Sequence, residues 1–175
     1  MLPTPWFTQS FRFGAPLSTF PQVLERLRTT PARARALTAG WPDSKLSTRP
    51  DGKWSAKDHI GHLAALTPLD ERRLDAYLRH EAVLDAADLT NRSTEEAGFA
   101  THPVNEILAS LDACRQALIV RLELLTEAEL AFTALHPRLR QPMRLLDWME
   151  FVAKHDDHHL AMARWVIAHE PVNCR

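Results

Sequence analysis

The sequence contains little cysteine and little glycine, and each shortage excludes a class of protein. Its 175 residues include 2 cysteines, which form neither a disulfide framework nor a cysteine-rich metal site. We interpret Cys114 as a buried thiol and Cys174 as a thiol in the C-terminal tail. The 5 glycines make no Gly-x-Gly-x-x-Gly, phosphate-binding loop or Gly-x-Ser-x-Gly motif, so nucleotide enzymes and serine hydrolases lack their usual signals.

An excess of charge of one sign and long apolar runs are also missing. The chain has 21 Lys plus Arg against 22 Asp plus Glu, a formal net charge of -1, so no net field attracts it to nucleic acid. No segment approaches the ~20 apolar residues of a membrane span, and the N-terminus lacks the basic and apolar regions of a signal peptide. We therefore expect a cytoplasmic protein that binds neither nucleic acid nor a membrane.

What the sequence does contain is helical periodicity. With 45% apolar residues, a chain of 175 residues fits one domain around one core. We assign that domain to residues 1–175, with the core of the bundle at about 18–170. Apolar residues recur at intervals of three and four, and no strand is convincing. The predicted fold class is all-α, a four-helix bundle, in which facing helices commonly build metal sites.

Capping and breaking residues predict the first two helices. The first runs from about Ser18 to Gly40, with a restart at Pro31. The second begins at the capping residue Ser55, because a carboxylate three positions later completes a capping box. Pro68 removes an amide donor, so this helix is expected to kink or break there.

The second half of the chain predicts two further helices. After an irregular segment over residues 86–102, Pro103 opens the third helix. A short turn starts at Thr126, and residues 136–141 form a loop. The fourth helix, from Leu145 onward, is the longest.

Histidine placement directs the functional interpretation, since the chain has 9 histidines. On the fourth helix, the apolar seam of Leu145, Met149 and Val152 continues in phase through His155 and His159. Residues four apart lie on one face of a helix, so both imidazoles can reach one ion. In the alternative interpretation the pair arises by chance, and each histidine is simply hydrogen-bonded.

A third ligand would have to come from another helix. His62 lies on the inward side of the second helix, and His59, about one turn earlier, is its rival. Three neutral imidazoles leave a position open for water or a thiol, which is the arrangement of catalytic zinc. Asp156, Asp157 and His158, between the paired histidines, are interpreted as hydrogen-bond partners of the ligands or as solvated groups.

Two other groups of residues receive structural interpretations. Trp54, Trp148 and Trp165 are expected to pack in the core or at helix ends, with a substrate pocket as the alternative. The alternating charges around Arg72 and Arg73 predict a solvated helix face, with an anion contact as the alternative.

Two motifs in the chain resemble the DinB/YfiT-like superfamily. They read RPDGKWSAKDHIGHLA over residues 49–64 and KHDDHHLA over residues 154–161, and they occur in the family's order. The resemblance implies a DinB-type four-helix bundle. It also implies that His62, in Gly-His-Leu, joins His155 and His159 as a metal ligand, which favours His62 over its rival.

The resemblance also implies a function. It suggests a divalent ion, zinc or nickel, together with a homodimer and a link to the stress response. It further suggests hydrolase or thiol S-transferase activity, in some members with a low-molecular-weight thiol. Members often carry an acidic residue shortly after Gly-His-Leu, where this chain has Thr67 and Pro68. Any role of that carboxylate is therefore not carried over.

Three functional hypotheses follow from the sequence. The leading one is a metal-dependent enzyme, a hydrolase or thiol S-transferase, that acts on a small molecule. The second is a stress-related metal-binding or interaction protein without catalysis, and the third is a dimeric bundle whose histidines bond to one another. Three imidazoles suit zinc, nickel, copper and iron alike, so the sequence leaves open the metal, the substrate and the catalytic residues.

Overall fold

The computed structural model describes residues 2–169, in which four long helical segments pack around the core. Helix α1 contacts α6 and α8, and α3 contacts the same two helices, so the four-helix bundle predicted from the sequence is confirmed. The helices are α1 (Phe20–Thr38), α2 (Asp43–Leu46), α3 (Ala56–Ala65), α4 (Thr67–Leu78), α5 (Arg92–Ala97), α6 (Val104–Glu123), α7 (Glu127–Leu130) and α8 (Leu145–Ala168), and the strands are β1 (Thr133–His136) and β2 (Gln141–Arg144). Within residues 2–169, no helix is both long enough and apolar enough to cross a membrane.

The start of α3 follows the predicted capping box. The hydroxyl of Ser55 accepts from the Asp58 amide at 3.1 Å, and the Asp58 carboxylate accepts from the Ser55 amide at 2.9 Å. Arg49 holds the same carboxylate with two hydrogen bonds of 2.9 Å, a fork geometry that fixes its orientation. The helix ends before Thr67, and α4 then begins with Pro68 in its first turn. The break predicted at this proline is therefore present.

The core consists of two apolar clusters that share α8. Trp148, Met149 and Val152 belong to the first cluster, and Leu160 and Val166 belong to the second. Between Ala153 and Leu160, the inward positions of α8 carry His155, Asp156 and His159 instead of apolar side chains. The histidines therefore occupy a polar layer between two hydrophobic regions of one bundle.

Three expectations about the chain path are wrong. The two-stranded antiparallel hairpin β1–β2 contradicts the absence of strands, and α5 lies within the segment predicted to be irregular. The strands have four residues each, which is too short for an alternating pattern of apolar and polar residues to be recognised. One of them also contains Pro142, a residue that argues against a strand. Helix α1 continues through Pro31, because packing against two helices outweighs the hydrogen bond lost at a proline.

The structure tests the prediction for only one of the two cysteines. Cys114 is a free thiol that is half-buried, whereas the sequence suggested a buried one. Cys174 lies outside the described residues.

Candidate metal centre

His62 of α3 and His155 and His159 of α8 point their rings into one small region. Each offers a ring nitrogen, and the three nitrogens lie within 4.8 Å of one another. The Nε2 atoms of His155 and His159 are 3.1 Å apart. His62 and His159 are buried, and His155 is half-buried. The structure thus brings together the three histidines selected from the sequence, and we call them the three-histidine cluster.

Two members of the cluster are oriented by partners behind them. The Nδ1 atom of His62 lies 2.8 Å from the hydroxyl oxygen of Thr94, which is buried near the start of α5. The Nδ1 atom of His159 lies 3.0 Å from Nδ1 of His59. When Nδ1 donates such a hydrogen bond, the proton is fixed on Nδ1 and the lone pair of Nε2 is available to a cation. His59, the rival of His62, therefore contacts a cluster member from behind.

Aromatic rings enclose the cluster on two sides. The ring of Trp54 lies 4.8 Å from that of His62 and 5.8 Å from that of His159. Trp6, in the N-terminal segment, lies 4.9 Å from His155. Trp54 thus packs against the histidines, but Trp54 and Trp165 also line a cavity, so the pocket alternative stays open for both. Trp148 is buried in the first apolar cluster.

Sequence reasoning missed both Trp6 and Thr94. Trp6 lies in a proline-containing segment outside any long helix, and Thr94 lies in a region predicted to be irregular. A tryptophan near the terminus and a threonine among polar residues have no periodicity that would distinguish them. No signal in the sequence connects either residue to the histidines.

Burial keeps these imidazoles neutral. It lowers the pKa of His62 to about 4 and, with repulsion from neighbouring histidines, lowers the pKa of His59 to about 3. Burial and the other histidines also bring the pKa of His155 and of His159 well below the ordinary value. Neutral rings are the form that donates a lone pair to a cation.

The acidic residues between the paired histidines have other partners. Asp156 is buried, where it accepts from the Thr30 hydroxyl at 2.8 Å and from Arg115 at 3.0 Å. Asp157 pairs with two arginines of α1. The interpretation of these carboxylates as partners of the histidines is wrong, since each residue turns about 100° further around the helix. His158 instead lies 3.4 Å from the Gln9 amide.

Two cavities adjoin the three-histidine cluster. The first, of about 280 Å³, is lined by His62 and His155 and continues past α4 and the hairpin. The second, of about 310 Å³, lies on the side of Trp54 and His159. Arg73, expected on a solvated face, is 4% exposed and lines the first cavity. A bound ion would therefore face space large enough for a small molecule.

The donor set fits a divalent transition metal. Two nitrogens that are each ~2.1 Å from a tetrahedral ion lie ~3.4 Å apart, close to the 3.1 Å between the two Nε2 atoms of α8. Two neutral Nε2 lone pairs that face each other at this distance repel unless a proton or a cation lies between them. Imidazole nitrogen is a ligand that suits zinc and nickel.

The fold and the cluster define a helical-bundle protein with three convergent histidines beside a cavity. The chain belongs to the DinB superfamily, which matches residues 26–163. Among solved structures, it is similar to YfiT from Bacillus subtilis, described as a probable metal-dependent hydrolase with an unusual four-helix bundle topology. That similarity has a TM-score of 0.78 at 21% identity and covers 90% of this chain and 91% of that one. No curated protein sequence matches the chain.

Proposed function

We propose that this chain is a metal-dependent hydrolase whose divalent ion is held by His62, His155 and His159. The observation that carries the proposal is the convergence of three buried or half-buried ring nitrogens within 4.8 Å, beside a cavity of about 280 Å³. A site with three protein ligands and free space next to it is typical of catalytic zinc, because structural sites use four protein ligands. The description of YfiT supports the same reaction class.

The residues around the cluster would have separate roles in hydrolysis. A bound divalent cation supplies Lewis acidity toward a carbonyl and lowers the pKa of water. His59 and Thr94 fix the rings of the ligands, so the ligands need not reorganise when the ion binds. Trp54 and Trp6 cover the histidines and limit the access of bulk water. The net reaction adds one water across an ester or amide bond of a substrate held in the first cavity.

Zinc and nickel are the ions we propose. Both accept imidazole nitrogen, and the cluster contains no thiolate or carboxylate, which would favour softer or harder ions. A thiol S-transferase built on the same ligands would differ in one measurable respect. Its turnover would require a low-molecular-weight thiol, whereas hydrolysis would not.

The test combines metal analysis with turnover. Purified protein is expected to contain one zinc or nickel ion per chain and to hydrolyse some members of an ester and amide panel. Chelation should abolish turnover, and added metal should restore it. His62→Ala should remove both metal and turnover, whereas His102→Ala, an exposed histidine outside the cluster, should retain both.

Three results would count against the proposal. Full metal occupancy without turnover across the panel would favour a non-catalytic metal-binding protein. Turnover only with an added thiol would favour a transferase. Metal-free protein whose melting temperature is unchanged by zinc and nickel would favour histidines that simply bond to one another, because a ligand of the folded state raises its stability.

A further inference from the structure

The first cavity has a second group of polar residues besides the histidines. Asp70 and Arg73 of α4 and His136 and Arg138 of the hairpin all line it, and we call these four residues the polar end of the cavity. Arg73 and Arg138 both contribute to lowering the pKa of His136, after burial, and Arg73 also acts on the pKa of Asp70, so Arg73 lies within electrostatic range of both. Leucines of α3 and α4 and Phe151 and Val152 of α8 form an apolar part of the wall, and Asp88 and Asn91 also line the cavity.

Within residues 2–169, His136 presents a hydrogen-bond donor that has no partner. Its Nδ1 accepts from the Leu139 amide at 3.2 Å, so the proton of the neutral ring is on Nε2. Among residues 2–169, no group bonds to this buried Nε2 atom. The side chain is 2% exposed, and an unpaired buried donor is costly. The fold therefore keeps a donor at the cavity wall that nothing in the described chain uses.

Arg138 presents a second unused donor. Its Nη2 atom is buried and has no hydrogen-bond partner among the described residues. The guanidinium carbon lies 5.2 Å from the ring centre of Phe7 and 5.7 Å from that of Phe151. Cation–π contacts of this kind hold the guanidinium in place without using its N–H groups.

The charges of the polar end specify the kind of acceptor. Arg73 and Arg138 contribute two positive charges, and Asp70 contributes at most one negative charge, since burial raises its pKa to about 7. Asp156, which also lines the cavity, is already paired with Arg115 at 2.9 Å. Because the carboxylate of Asp88 also lines the cavity, the net charge there lies between about 0 and +1, which balances at most a monoanion and leaves a dianion uncompensated. An imidazole N–H and a planar guanidinium that line the same cavity suit a carboxylate.

We infer that the polar end binds the carboxylate of an organic acid whose apolar part lies along the leucines, Phe151 and Val152. The inference rests on the proposed function in one respect. It takes from that function that the bond to be hydrolysed lies at the three-histidine cluster. The substrate class is then a carboxylic acid that carries a second, hydrolysable group at the other end of a short apolar chain. Arg138 and His136 are the specificity-determining residues.

The test measures binding with three probes that share one apolar chain. Hexanoate, hexanamide and hexyl phosphate are titrated by calorimetry into metal-free and zinc-loaded protein. We expect hexanoate to bind both forms, and hexanamide to bind about 10-fold more weakly, because a hydrogen bond to a charged group exceeds one to a neutral group by about 1.4 kcal/mol. Hexyl phosphate is expected to bind more weakly than hexanoate.

Variants of the hairpin test whether Arg138 causes the preference for hexanoate over hexanamide. Arg138→Gln should weaken hexanoate binding about 10-fold and leave hexanamide unchanged, and Arg138→Lys should give an intermediate loss because it keeps the charge but not the planar fork. Arg140→Gln, an exposed arginine of the same turn, is the matched control and should change nothing. Melting temperatures and circular dichroism of all three variants verify that the fold is intact.

Four outcomes would overturn the inference. They are equal affinity for hexanoate and hexanamide, unchanged hexanoate binding in folded Arg138→Gln, tighter binding of hexyl phosphate, and hexanoate binding that requires zinc, which would place the carboxylate on the ion. Failure of the proposed function has a different signature. Hexanoate would still bind the metal-free protein in the expected way, while zinc binding or hydrolysis would be absent.

Discussion

The two ends of the first cavity are built in different ways. At the histidine end, the side chains come from the long helices α3 and α8, and the Nδ1 atoms of His62 and His159 are paired with Thr94 and His59. At the polar end, His136 and Arg138 come from a short hairpin and keep buried donors without partners in the described chain. The geometry of the histidine end is therefore fixed before any ligand binds. The polar end instead keeps hydrogen-bond donors that a ligand can use.

Burial also shifts the pKa values of groups at the two ends in opposite directions. It lowers the pKa of His62 to about 4 and raises the pKa of Asp70 to about 7. Both changes favour the neutral form, because a low-dielectric site penalises charge. The arginines keep their charge, so the polar end stays cationic while the histidine end stays neutral. Changes that disturb one end and spare the other test this contrast.

The largest expected effect is the loss of the ion from the histidine end. His155→Ala removes one of three ring nitrogens, and we expect stoichiometric zinc binding to be lost in a chelator competition assay. His158→Ala, which removes a neighbouring imidazole outside the cluster, should retain binding. Unchanged affinity in His155→Ala would show that the cluster is not the metal site.

Asp70→Asn should have the next largest effect, at the polar end. The pKa of this carboxyl is raised from 3.8 to about 7 in the folded protein, so the folded state holds its proton longer than the unfolded state does. The contribution of Asp70 to the free energy of unfolding therefore falls as pH rises from about 4 to about 7, by at most about 1.4 kcal/mol per pH unit, and stays low above that window. The variant lacks this loss.

Urea unfolding at several pH values measures the effect of Asp70→Asn. The variant should match the wild type near pH 4 and exceed it by a few kcal/mol at pH 8. Glu71→Gln controls for removal of a carboxylate from the same helix. A difference between Asp70→Asn and wild type that is the same at every pH would contradict the raised pKa.

Gly61→Ala should disturb the scaffold of the histidine end. A Cβ at this position would lie 2.3 Å from the ring of Phe99, so the aromatic ring must move or α3 must shift. Overpacking of this kind costs about 1–3 kcal/mol, measurable as a lower urea midpoint. Adding Phe99→Ala should relieve the clash, so the two substitutions should be non-additive. Additive losses would show that the contact does not limit the packing.

The smallest effect is expected from the partner of His62. Thr94→Val removes the hydroxyl 2.8 Å from Nδ1 and should weaken zinc binding about 10-fold, since outer partners orient ligand rings. Thr101→Val removes an exposed hydroxyl that donates to Gly98, and the zinc dissociation constant of this control should not change. Equal values for both variants would mean that His62 needs no partner.

Local features of the sequence predicted most of the helical framework. The capping box at Ser55, the break at Pro68 and the short turn after Thr126 are all present, because each depends on residues within one helical turn. The hairpin was missed because four-residue strands carry too little periodicity. The continuity of α1 through Pro31 was missed because packing, not local preference, decides it.

The candidate site likewise has features that the sequence predicts and features that only the packing of the helices determines. The sequence by itself determined that His155 and His159 share a helix face, since 3.6 residues per turn fixes the direction of side chains four apart. Only the tertiary structure decided that His59 lies against His159, 100 residues away, and that Thr94 lies against His62, 32 residues away. It also decided that a hairpin arginine faces the same cavity as the histidines. Contacts between distant segments depend on how whole helices pack, and no spacing within one segment encodes that geometry.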